Sequence, residues 1–366
     1  MAQRKESNGT WTFYGRYPKS INATTKSYKH RGFKTKREAK LAEAKFLEEC
    51  KGIVPTHMTL NDLIKEYHKD APNRIKESTL KSYRRIENRI IIPTFGNKYI
   101  DQITSLEIQR WINNIFNNGI NNQLYQDQTI KGFLLHLSGL FTYAVKNDWL
   151  LKNPCSSVNQ PKNPNKKPNE KSSKDNYWEI DEFNEFIDTV EDGLHYDIYE
   201  FVFNTGLRIG EFCSLQWKHI DFNNETVTVE QSLSAITSKI TSPKTGNSYR
   251  TIKIPHKIIQ KLKVKYNYVS QIRDFNDNWF IYNNKNYISV STIRRWFNED
   301  VKKAGVKTIT FHGLRHSHAS YLLSNPALSE QLIADRLGHT VKTLRETYTH
   351  VYMKHRKTLD DYISHL

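Results

Sequence analysis

The stretch TFHGLRHSHAS, residues 310–320, packs three histidines and an arginine into the seven positions from His312 to His318. His312 and His316 stand four apart and so share one helix face, a spacing that can hold zinc, whereas His318 lies off that face. Arg315 argues against a metal, because its permanent charge repels a cation. Histidines on a plain helix surface are the bland alternative. A third reading starts from what a phosphodiester requires. Attack at phosphorus builds negative charge on the nonbridging oxygens, and planar guanidinium groups and imidazoles suit that charge. A site built for it would show two arginines, one or two histidines, a proton donor for the leaving oxygen and a nucleophile.

The neighbouring sequence offers a candidate for each part. NTGLRIGEFCSLQW (204–217) puts Arg208 at the start of a helix, three residues before Glu211. SPKTGNSYRTIKIP (242–255) puts Lys244 in a turn, since Gly246 and Asn247 tolerate the positive φ that hairpin turns need. LGHTVKTLRETYTH (337–350) puts His339 between two helices, with Gly338 as breaker and Thr340 as the next N-cap, and Tyr348 in the helix that follows. Taken singly, Arg208 reads as a surface partner of Glu211, Lys244 as a solvated lysine and Tyr348 as packing.

The bulk composition points to the same class of partner. The chain has 366 residues, with 55 Lys+Arg against 38 Asp+Glu, a net charge of +17. Such an excess favours a polyanion, because neutralising phosphates releases condensed counterions. No run approaches the roughly 18 apolar residues of a membrane span, and the N-terminus lacks the apolar core of a signal peptide, so a cytoplasmic protein without membrane contact is expected. Cys50, Cys155 and Cys213 form no CxxC pair and read as reduced and structural.

Upstream, polar residues alternate with aromatic and β-branched ones in GTWTFYGRY and TTKSYKHRGF, and a helical pattern follows in KTKREAKLAEAKFLEEC. Residues 1–54 hold 13 Lys/Arg against 5 Asp/Glu. On such a basic sheet Trp11, Tyr14, Arg16 and Tyr17, with Lys34 and Lys36 beside it, either contact DNA or, for the aromatics, fill the core of a small domain. From about 55 to 160 the apolar spacing is helical, with Thr59 and Ser78 as N-caps and a break at Pro93–Gly96. PKNPNKKPNEKSSK (161–174) has three prolines, five lysines and almost nothing apolar, so residues 161–176 read as a linker. The segment 177–366 is mixed: helices over about 180–217, strands to about 254, then helices.

Arg in TGLRIGE, Lys in a β-turn, His-x-x-Arg in HGLRH, His in LGH and a tyrosine nine residues further on, in this order, resemble the active site of the tyrosine recombinases, the integrase family that shares its chemistry with type IB topoisomerases. The resemblance covers about 177–366 by motif and the upstream segments by pattern. It implies a multidomain α+β chain: a small sheet-plus-helix domain for arm-site DNA over 1–54, an all-helical core-site DNA-binding domain over 55–160, the linker, and a mainly helical catalytic domain with a small antiparallel sheet over 177–366.

The resemblance also implies roles. Arg208 and Arg315 hold the nonbridging oxygens, and His339 adds a donor. His312 takes the tyrosine proton or bonds the phosphate, Lys244 protonates the departing 5′ oxygen, and Tyr348 attacks phosphorus. Glu211 buttresses the site, while His316 and His318 match no core catalytic position. The partners implied are double-stranded DNA, further copies in a tetramer on DNA, and accessory proteins that bend DNA or drive excision. The last stretch, VYMKHRKTLDDYISHL, is expected to pack on a neighbouring protomer. No metal or other cofactor is expected, in keeping with the lack of a GxxxxGK phosphate loop. Two other readings compete: a DNA-binding regulator that never cuts, and a metal-dependent nuclease, which needs clustered carboxylates.

Overall fold

The computed structural model describes residues 2–16, 27–51, 58–121, 123–162, 176–242, 249–348 and 363–364, and divides into two compact units, 1–165 and 166–366. In the first, strands β1 (Ala2–Lys5), β2 (Trp11–Arg16) and β3 (Ser27–Phe33) form an antiparallel sheet in that order, followed by helix α1 (Lys36–Lys51). Its core is Phe13 and Tyr28, with the Phe46 ring 5.0 Å from that of Tyr28. Trp11 is half-buried with Lys36 Nζ 5.8 Å from its ring centroid, whereas Tyr14, Arg16, Lys34 and Lys36 are exposed. Of the aromatics expected on this sheet, Tyr17 lies outside the described residues.

The helical part runs α2 (Leu60–Asp70), α3 (Glu77–Ile86), a π turn (Glu87–Ile91), α4 (Ile92–Phe95), α5 (Ser105–Asn118) and α6 (Asp127–Lys146). Thr59 caps α2 in a reciprocal box with Asp62. Ser78 does not cap: α3 begins at Glu77 with Lys76 as N-cap, and Glu77 sets its charge against the helix dipole instead. The break expected over Pro93–Gly96 falls at its end: Pro93 enters just after the π turn, whose wider ladder takes up a residue without an N–H, and α4 ends at Phe95 with Gly96 as C-cap. The π turn carries Glu87 inward, where its carboxylate meets His68 Nε2 of α2 at 2.6 Å and His136 Nε2 of α6 at 2.8 Å.

The second unit has one large core running from Trp178 to Leu314. Helices α7 (Ile180–Asp188), α8 (Gly193–Thr205) and α9 (Ile209–Cys213) come first. Strands β4 (Ile220–Asp221), β5 (Thr226–Val229) and β8 (Arg250–Lys253) form an antiparallel sheet in that order, and β6 (Ser232–Leu233) pairs with β7 (Ile240–Thr241). Residues 243–248, with the expected turn and Lys244, lie outside the described residues. The strands flanking them, β7 and β8, pair with β6 and β5 respectively. Helices α10 (His256–Val269), α11 (Val290–Ala304), α12 (Phe311–Leu323), α13 (Glu330–Leu337) and α14 (Val341–Thr347) follow.

The position of α12 is set from far along the chain. Asn176 Oδ1 accepts the Thr310 N–H at 2.7 Å, and the Trp178 N–H donates to Ser317 Oγ at 2.8 Å. Cys155 and Cys213 are buried free thiols, as expected of structural cysteines, and burial pushes both up to about 12. Among the described residues no helix is long and apolar enough to cross a membrane.

Candidate active site

Gly206 ends α8 in the left-handed region at φ 65°, and a Cβ there would lie 2.5 Å from His318 and 3.0 Å from Leu337. Only glycine satisfies both the backbone and the space. The turn delivers Arg208 as N-cap of α9, and Glu211 reaches back to accept the Arg208 backbone N–H at 3.0 Å and Nη1 at 2.7 Å. Arg250, from β8, adds Nη2 to the same carboxylate at 2.8 Å. Burial alone would raise the Glu211 pKa, but Arg250, then Arg208 and Arg315, hold it down at about 2.

Arg315 lies on α12 and is 1% exposed. Its Nη1 donates to Gly206 O at 2.6 Å and its Nη2 to Leu337 O, and Nη2 also lies 2.9 Å from His339 Nε2. Arg208 Nη2 donates to Gly338 O at 3.1 Å, Arg250 Nε to Arg336 O at 2.7 Å, and Arg336 Nη2 to Asn204 O at 3.0 Å. These carbonyls belong to the C-terminal ends of α8 and α13, where a helix carries partial negative charge. Two helix ends and one carboxylate thus gather four guanidiniums that would otherwise repel one another. Arg315 Nε and His339 Nδ1 are buried with no hydrogen-bond partner among the described residues. Such orphans call for an explanation, and an anion at the site would supply one.

Gly338, at φ 64°, closes α13, and Thr340 caps α14 by accepting the Thr343 N–H, as expected. Tyr348 is the C-cap residue of α14 rather than a residue inside it. It is fully buried in a small core with Leu323, Leu337 and Leu344. Burial pushes its hydroxyl up to about 12, against the pull of Arg315 and Arg208. The hydroxyl lies 3.1 Å from His316 Nδ1, and the His312 and His316 rings meet edge-on at 4.7 Å between centroids. His312 opens to solvent at the rim, yet the atoms crowded round it, then His316 and Arg315, lower its pKa. Burial and Arg315 likewise pull His339 down to about 3.

The fold thus gathers Arg208, Glu211, Arg315, His339, His312 and Tyr348 from α9, α12 and the two ends of α14. Sequence reasoning missed four neighbours. His316 touches the tyrosine hydroxyl, and His318 packs on Gly206 and accepts from Arg336 Nε at 3.1 Å. Arg250 and Arg336 grip the framework. A signal existed for Arg250: in RTIKI it alternates in phase with the buried Ile252 and Ile254, so it had to point inward. For the two histidines no local signal existed, because α12 is buried on nearly every side, and Arg336, in the last turn of α13, finds its partners on distant elements. Among the described residues no three His, Cys, Asp or Glu side chains gather as a metal would require.

Three family descriptions match the chain: an arm DNA-binding domain over residues 1–50, the SAM-like N-terminal domain of phage integrases over 59–116, and the phage integrase family over 177–355. The ICEBs1 integrase of Bacillus subtilis (strain 168) is 27% identical over 348 residues, covering 91% of this chain and 90% of that protein. Among solved structures, the Tn1549 transposon integrase bound to transposon right-end DNA superposes with a TM-score of 0.65 at 21% identity, over 80% of this chain and 95% of that one. A lambda integrase tetramer bound to a Holliday junction gives a TM-score of 0.59 at 18% identity, over 92% and 95%. With a sheet-plus-helix domain, a helical domain and a catalytic domain matched in turn, the chain belongs to the phage integrases, the tyrosine-type site-specific recombinases that integrate mobile genetic elements.

Proposed function

We propose that the chain cuts and rejoins double-stranded DNA through Tyr348, integrating and excising the element that carries it. Tyr348 Oη attacks the scissile phosphorus and forms a 3′-phosphotyrosine, and the bond from phosphorus to the 5′ oxygen breaks. Lys244 gives that oxygen its proton. Arg208 and Arg315 hold the nonbridging oxygens, His339 adds a donor, and His312 takes the tyrosine proton or bonds the phosphate. Glu211 fixes both Arg208 and Arg250 without reacting. The covalent link conserves the phosphodiester energy, so the 5′ hydroxyl of another strand reseals the backbone without ATP or metal.

One observation carries this reading: the buried Arg315, with Nε unspent, stands beside His339, also with a free nitrogen, in electrostatic reach of the buried Tyr348 hydroxyl. Each well-aimed donor to the developing charge contributes roughly 3 kcal/mol, so losing one arginine costs about a hundredfold or more in rate. The domains act as 1–54 on arm sites, 55–160 on core sites, 161–176 as linker and 177–366 in catalysis. In the first of these, the exposed Tyr14, Arg16, Lys34 and Lys36, with the edge of Trp11, face DNA.

Four cleavages on two duplexes require four copies, as in the lambda integrase tetramer. The stretch after Tyr348, of which only Ile363 and Ser364 are described, packs on a neighbouring copy. The setting is the cytoplasm of a bacterial host, at the nucleoid, with accessory proteins that bend DNA or drive excision.

The test incubates wild-type protein and Tyr348→Phe, both in EDTA, with a supercoiled plasmid carrying the DNA that flanks the coding sequence. An SDS-resistant protein–DNA adduct that needs Tyr348 and survives chelation is the expected result. Binding without any adduct would favour a non-cleaving regulator, and cleavage only with added metal would overturn the assignment of Arg208, Arg315 and Tyr348.

A further inference from the structure

When the phenol attacks, its proton must leave, and the reading above gives His312 two duties, taking that proton or bonding the phosphate. We propose that two histidines divide them: His316 Nδ1 takes the Tyr348 proton, which frees His312 to donate to the phosphate. The inference rests on Tyr348 being the nucleophile. Within the described geometry it is His316, and not His312, that stands at hydrogen-bond distance from the hydroxyl, 3.1 Å from Nδ1. That bond has the phenol donating when the imidazole carries its own proton on Nε2. A general base must reach the proton it removes, and this one already does.

Residues next to each other on a helix point about 100° apart, so Arg315 reaches the ends of α8 and α13 while His316 turns to the end of α14. Tyr348 is fully buried, so bulk water is kept from its hydroxyl, and among the described residues His316 stands beside it. Among the described residues, the charged and titratable groups around the pair include His312 and Arg315 on the same helix, Arg208 at the start of α9, and Arg294 on α11, which acts on His312. A phenol held up at about 12 gives almost no phenolate at neutral pH and so needs a base.

In the forward step the Tyr348 Oη–P bond forms, the P–O5′ bond breaks, the phenol proton passes to His316 Nδ1, and the 5′ oxygen is protonated by the separate acid. Resealing runs the same transfers backwards: His316 returns its proton to Tyr348 as the 5′ oxygen attacks.

The experiment measures single-turnover adduct formation on the flanking-DNA plasmid between pH 6 and 9, for the wild type, His316→Asn and His312→Asn. Asparagine sets an amide oxygen near the place of Nδ1, so it keeps a hydrogen bond to Tyr348 but holds no proton. We expect His316→Asn to be about a hundredfold slower at pH 7, with a rate climbing about tenfold per pH unit as hydroxide replaces the base. His312→Asn should be slower yet keep the wild-type profile. Plasmid binding at wild-type strength shows that a variant is folded, and His316→Gln stands in if the asparagine variant fails that check. A wild-type profile in the His316 variant, or the steep profile appearing in His312→Asn instead, overturns the proposal alone. Absence of any Tyr348-dependent adduct in the wild type overturns the nucleophile assignment with it.

Discussion

Glu87 in the helical part and Glu211 in the catalytic unit are each buried at a junction of elements, and they are neutralised differently. Glu87 and Glu211 are both 2% exposed. Glu87 meets two imidazoles, one from α2 and one from α6. Glu211 meets two guanidiniums, one from its own turn and one from β8. An imidazole changes charge between pH 5 and 8, whereas a guanidinium stays positive and has five N–H donors. The first hub therefore ties helices together and presents little else. The second leaves a surplus positive charge, and Arg208, with a side chain one-third exposed, carries part of it to the surface. The same device, a buried carboxylate with two basic partners, is a rivet in one place and a charged platform in the other.

The sharpest way to break the comparison is Glu211→Ala. It leaves Arg208, Arg250 and Arg315 facing one another without their counter-charge, and removing one partner of such a buried cluster costs about 3–5 kcal/mol. A lowered thermal transition of the full chain, together with a cleavage rate down about a hundredfold as Arg208 loses its orientation, is the expected result. A variant as stable as the wild type would mean that the helix-end carbonyls hold the arginines unaided.

Acid should expose the next difference. The folded pKa of Glu211 is depressed from the ordinary 4.5 to about 2, so its contribution is fully present above about pH 4.5 and is lost as pH falls towards 2. The size is about 3 kcal/mol. Glu87 has the same sign: burial pushes its pKa up, but His136 and His68 more than offset that, so it too stabilises above its unfolded value and loses its contribution on acidification. Stability measured from pH 7 down to 2 should fall less steeply in Glu211→Gln than in wild type. An acid limb of unchanged slope would remove the ion-pair account of that hub.

Glu87→Gln should give the smallest effect. An amide still meets both imidazoles, so the loss is that of one charged hydrogen-bonding partner, about 1–2 kcal/mol. Thermal unfolding should register it, while adduct formation at saturating protein should keep the wild-type rate. A large fall in cleavage would show that the hub in the helical part is more than a rivet.

Much of the site was legible because its signals are local. Arg208 with Glu211, the HGLRH stretch, and Gly338 before Thr340 each sit within one turn or one cap, where spacing and backbone preference act directly. In the helical part a local rule was overridden: Ser78 yielded the cap because the helix begins at Glu77, two residues before the start that a Ser78 cap would give. Arg250, Arg336, His316 and His318 were missed for a different cause, since their partners lie 18 to 132 residues away.

By itself, then, the sequence determined that the chain carries an excess of positive charge, that it alternates sheet, helical and mixed segments, and that it sets arginines, histidines and a tyrosine in an order that resembles the tyrosine recombinases. Those are properties of residue type and short-range spacing. Only the tertiary structure decided which histidine faces Tyr348, which arginine completes the hold on Glu211, and which helix ends draw the guanidiniums together. A buried charge is stable only where opposite charge or hydrogen-bond partners converge on it from several elements, and that convergence exists only in the folded chain.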